Sequence, residues 1–100
     1  MAYVVRLYMV LSEDPWRAEK LEEHWFSDWE EAKERFLEEL ERLEEQGYEC
    51  SDHASAWVQL CSRVRGVRRV YAEELGEELE VVVTEKLLLV LEPIGKLACC

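Results

Sequence analysis

The side chains best suited to chemistry are few: four cysteines (Cys50, Cys61, Cys99, Cys100), two histidines (His24, His53) and a run of four arginines (Arg63, Arg65, Arg68, Arg69). Cys50-x-x-His53 has a reach used in structural zinc sites, and Cys61 with Cys99 or Cys100 would complete four ligands. One short motif and a distant tail make a weak metal signature, so no metal and no other cofactor is assigned. A nucleophile built from Cys50 or Cys61 with His53 as its base lacks a third, orienting group in the local sequence. The chain also lacks a phosphate-binding glycine loop, a G-x-S-x-G elbow and an H-E-x-x-H pair. The expectation is a non-enzymatic protein with no catalytic residues, in which His24 is an interfacial structural side chain.

A disulfide suits Cys50 and Cys61 better than either site. If residues 48 to 64 form a hairpin centred on Ser55-Ala56, the two cysteines fall directly opposite each other, close enough to bridge. Intracellular disulfides are characteristic of hyperthermophiles. Twenty glutamates, no asparagine and eight arginines against four lysines point to such a thermophilic source. Cys99-Cys100 reads as the end of a flexible tail over residues 96 to 100.

Acids outnumber bases 23 to 12, for a net charge of −11. That field opposes nucleic-acid phosphates and anionic lipid and favours a basic protein partner. The charge is laid out in blocks, with −6 over residues 27 to 46, +4 over residues 62 to 71 and −5 over residues 72 to 80. The arginine block next to Trp57 and Tyr71 could meet a nucleic acid, but pairing with Glu73, Glu74, Glu77 or Glu80 of the same or a second copy is the simpler use of it. The most function-directed surface is a row of glutamates at helical spacing, Glu31, Glu34, Glu38, Glu41 and Glu45, partly relieved by Glu31/Arg35 and Glu38/Arg42 pairs.

The elements that must position these residues follow from periodicity. Ala2 to Leu11 is β-branched and aromatic, with Tyr3, Val5, Leu7, Met9 and Leu11 on one face and Val4, Tyr8 and Val10 suited to burial on the other, as in a central strand. Asp14-Pro15 signals a helix start, and Ala18, Leu21 and Trp25 at three- and four-residue spacing predict a short helix from Pro15 to about Phe26. Ser27-Asp28-Trp29-Glu30 fits a capping box, and Trp29, Ala32, Phe36, Leu40 and Leu43 form the stripe of a long helix that Gly47 stops. Tyr48 to Val64 fits either a hairpin or a helix, with strands favoured and Gly66 a boundary in both. Val67 to Glu74 and Leu79 to Thr84 read as strands around Leu75 to Glu78, the second running on or folding back into Leu87 to Glu92. Val81 to Val83 and Leu87 to Leu91 are too apolar to stay uncovered.

The resulting expectation is one α+β domain over residues 1 to 95. It is an antiparallel sheet of four to five strands with one short and one long helix on one face. The longest apolar run, Leu87 to Leu91, is far short of a membrane span, and no export signal is evident, which predicts a cytoplasmic protein. Its expected role is a small acidic interaction module, a homodimer because helices cover one sheet face alone. The alternatives are an acidic nucleic-acid mimic from a virus or mobile element and a Cys/His metal- or redox-responsive module.

Overall fold

The computed structural model describes residues 1 to 95, so the tail with Cys99 and Cys100 lies outside the described residues. In chain order the elements are β1 (Ala2–Glu13), β2 (Trp16–Phe26), α1 (Trp29–Glu45), β3 (Glu49–His53), β4 (Ser55–Ala72) and β5 (Glu77–Ile94). The strands form one antiparallel sheet in the order β2-β1-β5-β4-β3, and α1 packs on one face. The α+β class and the five-stranded sheet match the expectation; the number of helices does not.

The segment expected as a short helix is strand β2. Its register with β1 explains the misleading spacing: Glu22 opposes Leu7 and Lys20 opposes Tyr8, so Leu21 is an inserted bulge residue. The bulge resets the alternation and puts Ala18, opposite Val10, on the same face as Trp25, opposite Val4. A seven-residue interval that reads as two helical turns is therefore met by an extended chain. Asp14 and Pro15 form the turn of the β1–β2 hairpin, not a helix start.

The long helix forms as its stripe requires. Ala32, Phe36 and Leu43 are buried, with Trp29 and Leu40 packed against the same cluster. The N-cap is Asp28 in extended conformation, and no side-chain capping bond is made, so the capping box on Ser27 does not form. At the other end the Gly47 N–H donates to the Glu44 carbonyl (3.0 Å) and the Tyr48 N–H to the Leu43 carbonyl (3.0 Å). That bond pattern, with Gly47 at φ 93°, is the Schellman stop, and it delivers Tyr48 into the core beside Leu43.

Beneath α1, Val5 and Leu7 of β1, Cys61 of β4 and Leu87, Leu89 and Leu91 of β5 complete the core. Trp29 is the hub of an aromatic cluster, 5.5 Å from Tyr3 and 5.1 Å from Trp57, which in turn lies 5.3 Å from Phe36. On the outer face Val4 is fully buried, while Tyr8, Val10, Val58, Leu60, Leu88 and Val90 are half-buried. Trp16 of β2 and His53 of β3 meet at 5.8 Å although their strands are the two edges of the sheet, so the sheet coils on itself.

The ambiguous region resolves as the hairpin with Cys50 opposite Cys61, but its turn is at Ala54, where φ is 78°, and not centred on Ser55-Ala56: an irregularity between the Asp52–Gln59 and His53–Ser55 pairs restores the expected register. Gly66 is not a boundary: β4 runs through it to Ala72, because a bulge at Arg65 absorbs the irregularity between the Val64–Thr84 and Gly66–Val83 pairs. β5 likewise continues unbroken past Glu85-Lys86 instead of folding back.

Candidate interaction surface

Pairing between β1 and β5 stops at Met9 and Leu87, and pairing between β3 and β4 stops at Glu49 and Ser62. Beyond these points β4 and β5 continue with each other alone, from Val64–Thr84 to Ala72–Glu77, and close in a turn at Glu73 to Gly76. This two-stranded arm extends roughly 28 Å at about 3.4 Å per residue. It accounts for an overall length of 61 Å and a radius of gyration of 17.6 Å, against about 13 Å for a compact chain of this size.

The arm is apolar on both sides. The pairs Val70–Leu79 and Arg68–Val81 continue the helix-bearing face, and Val64–Thr84, Val67–Val82 and Tyr71–Glu78 continue the outer face. Val67 is 61% exposed, Tyr71 61% and Val82 57%. The expectation of cover therefore holds for Leu87, Leu89 and Leu91, which lie under α1, and fails for Val81 and Val82 within a single chain.

The root of the arm is fastened. The Tyr48 hydroxyl donates to the Glu85 carboxylate, which also accepts from Arg63 (3.2 Å) and lies 3.5 Å from Arg65. Arg63 in turn donates to the Gln46 carbonyl (2.8 Å) and lies over the Tyr48 ring at 4.5 Å, so the helix C-terminus grips the arm. The Tyr48 hydrogen bond, opposed by desolvation and aided by the two guanidinium groups, holds the Glu85 carboxyl below its ordinary value. Burial, with the same hydrogen bond, raises the Tyr48 phenol. On the other strand edge Lys86 bonds Glu13 at 2.7 Å. A concave surface of about 640 Å³ opens beside this root, lined by Gly47, Glu49, Ser62, Arg63, Arg65 and Thr84.

The four sequence-selected arginines do not form one patch. Arg63 and Arg65 serve Glu85, Arg69 lies 3.8 Å from Glu78, and Arg68 has no ion-pair partner among the described residues. The glutamates Glu31, Glu34, Glu38, Glu41 and Glu45 are all exposed along α1, as expected, but the relieving Glu31/Arg35 and Glu38/Arg42 pairs are absent. Both arginines turn toward the sheet and bind Glu39, a glutamate 5% exposed that periodicity alone does not single out. Arg42 also reaches Glu22 (3.2 Å) and Arg35 reaches His24 (3.0 Å) on β2. Desolvation of Glu22 is outweighed by its bonds from His24 and Arg42, and its carboxyl is held below the ordinary value.

Glu22, His24 and Glu39 bring their ligand atoms within 4.8 Å of one another. Two guanidinium groups already occupy that space, so the cluster is a charge-compensated clamp between α1 and β2 and not a vacant cation site. Cys50 and Cys61 are joined in a disulfide, which removes both from any thiolate or zinc chemistry. His53 is exposed beside Trp16.

Among the described residues no helix is long and apolar enough to cross a membrane. Comparison of the chain with protein-family models, curated proteins and solved structures found no match.

Proposed function

We propose that this chain is a non-enzymatic interaction module that works as a homodimer, with the β4–β5 arm as its assembly element. The observation that carries the reading is an arm with valines exposed on both faces and no third strand among the described residues. An isolated two-stranded hairpin is marginal in water, whereas three or more strands sustain one another. A second copy supplies those strands, and the free edge of β5 offers it charges of both signs, Glu78 near the tip and Lys86 at the root. Sedimentation equilibrium of the full chain at micromolar concentration should return twice the monomer mass of 11.8 kDa. A single species at 11.8 kDa would sink the reading.

The dimer then presents the glutamate ridge of each α1 to a basic protein. What favours this use is that the arginines able to neutralise the ridge are committed to Glu39, leaving five carboxylates without ion-pair partners among the described residues. An acidic mimic of nucleic acid would use the same ridge.

A further inference from the structure

The two edges of the arm are not equivalent. The β4 edge carries Arg65, Arg68 and Arg69 and a bulge at Arg65, devices that resist strand addition. Pairing β4 with itself about Arg68 or about Arg69 would also bring that arginine against its own copy, and like charges directly opposite are destabilising. The β5 edge from Glu78 to Lys86 reads ELEVVVTEK, a β-branched stretch without bulge, proline or glycine. Its backbone is unpaired because β1 leaves it after the Met9–Leu87 pair, and the Lys86 side chain alone still reaches β1, at Glu13.

We infer that this β5 edge is the dimer contact: it pairs antiparallel with the same edge of a second copy about a two-fold axis at Val82. The inference rests on the self-association proposed above and specifies its geometry. A two-fold axis normal to a sheet requires one residue to face itself, since opposed residues share a face. With Val82 on the axis, nine residues pair: Val81 faces the partner's Val83, Glu80 the partner's Thr84, Leu79 the partner's Glu85 and Glu78 the partner's Lys86, twice over. Centring on Val81 would oppose Glu77 to the partner's Glu85, and centring on Glu80 would oppose that carboxylate to itself. Centring on Val83 would run three strand residues, Leu79, Glu78 and Glu77, alongside the partner's Leu87 to Leu89, where β1 is already paired, whereas centring on Val82 brings only the terminal Glu77 to that boundary. Charge and available length thus select one register. The resulting sheet is continuous across both chains, with the two helices on the same side.

Two measurements test the register. In a full-length chain carrying Cys99→Ser and Cys100→Ser, Val82→Cys should cross-link to its own copy under mild oxidation, since opposed residues lie about 4.5 to 5.5 Å apart. Glu80→Cys, on the same face, should not, because its copy lies about 13 Å away along the strand. Lys86→Glu should raise the dimer dissociation constant roughly tenfold, and adding Glu78→Lys should restore it. A dimer in which Val82→Cys stays uncross-linked, or in which the charge swap fails to rescue, overturns this register while leaving self-association intact. A parent chain that sediments as a monomer overturns both.

Discussion

Glu23 is held to about 2 against an ordinary 4.5, chiefly by the hydrogen bond from Arg6, with Trp25 and Lys20 assisting. Arg6 Nε lies 2.7 Å from Glu23, and its Nη1 bridges on to Glu92 at 2.8 Å, tying β2, β1 and β5 together across the outer face. Glu22 and Glu85 are displaced in the same direction. A carboxylate whose folded value lies below its unfolded one stabilises the fold above the unfolded value, and that contribution disappears as pH falls through the folded one. The melting temperature should therefore drop between about pH 4.5 and pH 2. Arg6→Gln should return the Glu23 titration, followed by NMR, toward 4.5. The raised Tyr48 phenol works in the opposite sense, with stability present below its ordinary value of 10.0 and lost as pH climbs through the higher folded value. The disulfide is a separate matter. It closes a span of 11 residues between β3 and β4, and Cys50→Ser should cost about 2 to 4 kcal/mol in denaturant unfolding. This pair was legible in the sequence because a hairpin centred on Ser55-Ala56 sets Cys50 opposite Cys61; the turn itself sits at Ala54, and three extra residues on β4 between the His53–Ser55 and Asp52–Gln59 pairs bring the cysteines back into that register. Glu39 was not: Arg35 and Arg42 each have more than one glutamate within helical reach, and Glu22 and His24 on a distant strand decide between them.

At the level of elements, α1 carries like charges at Glu34/Glu38 and Glu41/Glu45, each pair costing the helix a few tenths of a kcal/mol. Replacing Glu34, Glu38 and Glu41 with Gln should leave thermal stability equal or higher while weakening capture of a basic protein and flattening its salt dependence. Unchanged capture by the folded triple variant would make the ridge an ordinary solvated face. The helix itself was readable because its stripe is long and its glycine stop unambiguous. β2 was not, because a bulge at Leu21 imitates helical spacing, and its place in the sheet depends on β1 lying alongside. The arm was half readable: both strands were visible, but Gly66 suggested an end where the bulge at Arg65 lets the strand continue. Its isolation depends on where β1 and β3 stop, which no local pattern encodes. In the monomer, arm amides from Val67 to Val83 should exchange with solvent faster than those of Leu87 to Leu91, a comparison hydrogen exchange makes directly.

Over the whole molecule, the unequal edges of the arm decide how large an assembly can grow. A sheet with two receptive edges adds chains without limit, and edge-to-edge addition of this kind is the route to fibres. In the proposed contact the bare edge is used up when two copies meet, and the edge each copy would then turn outward along the arm is the arginine-bearing, bulged one. In the proposed dimer growth would end at two, because the surviving edges repel their own kind. Besides the ion pairs that Arg65 and Arg69 make within the chain, the arginines on β4 would then act as terminators, through contacts that never form. Replacing Arg65, Arg68 and Arg69 with Thr should leave the β5 contact in place and convert a closed pair into species whose light scattering rises with time and concentration.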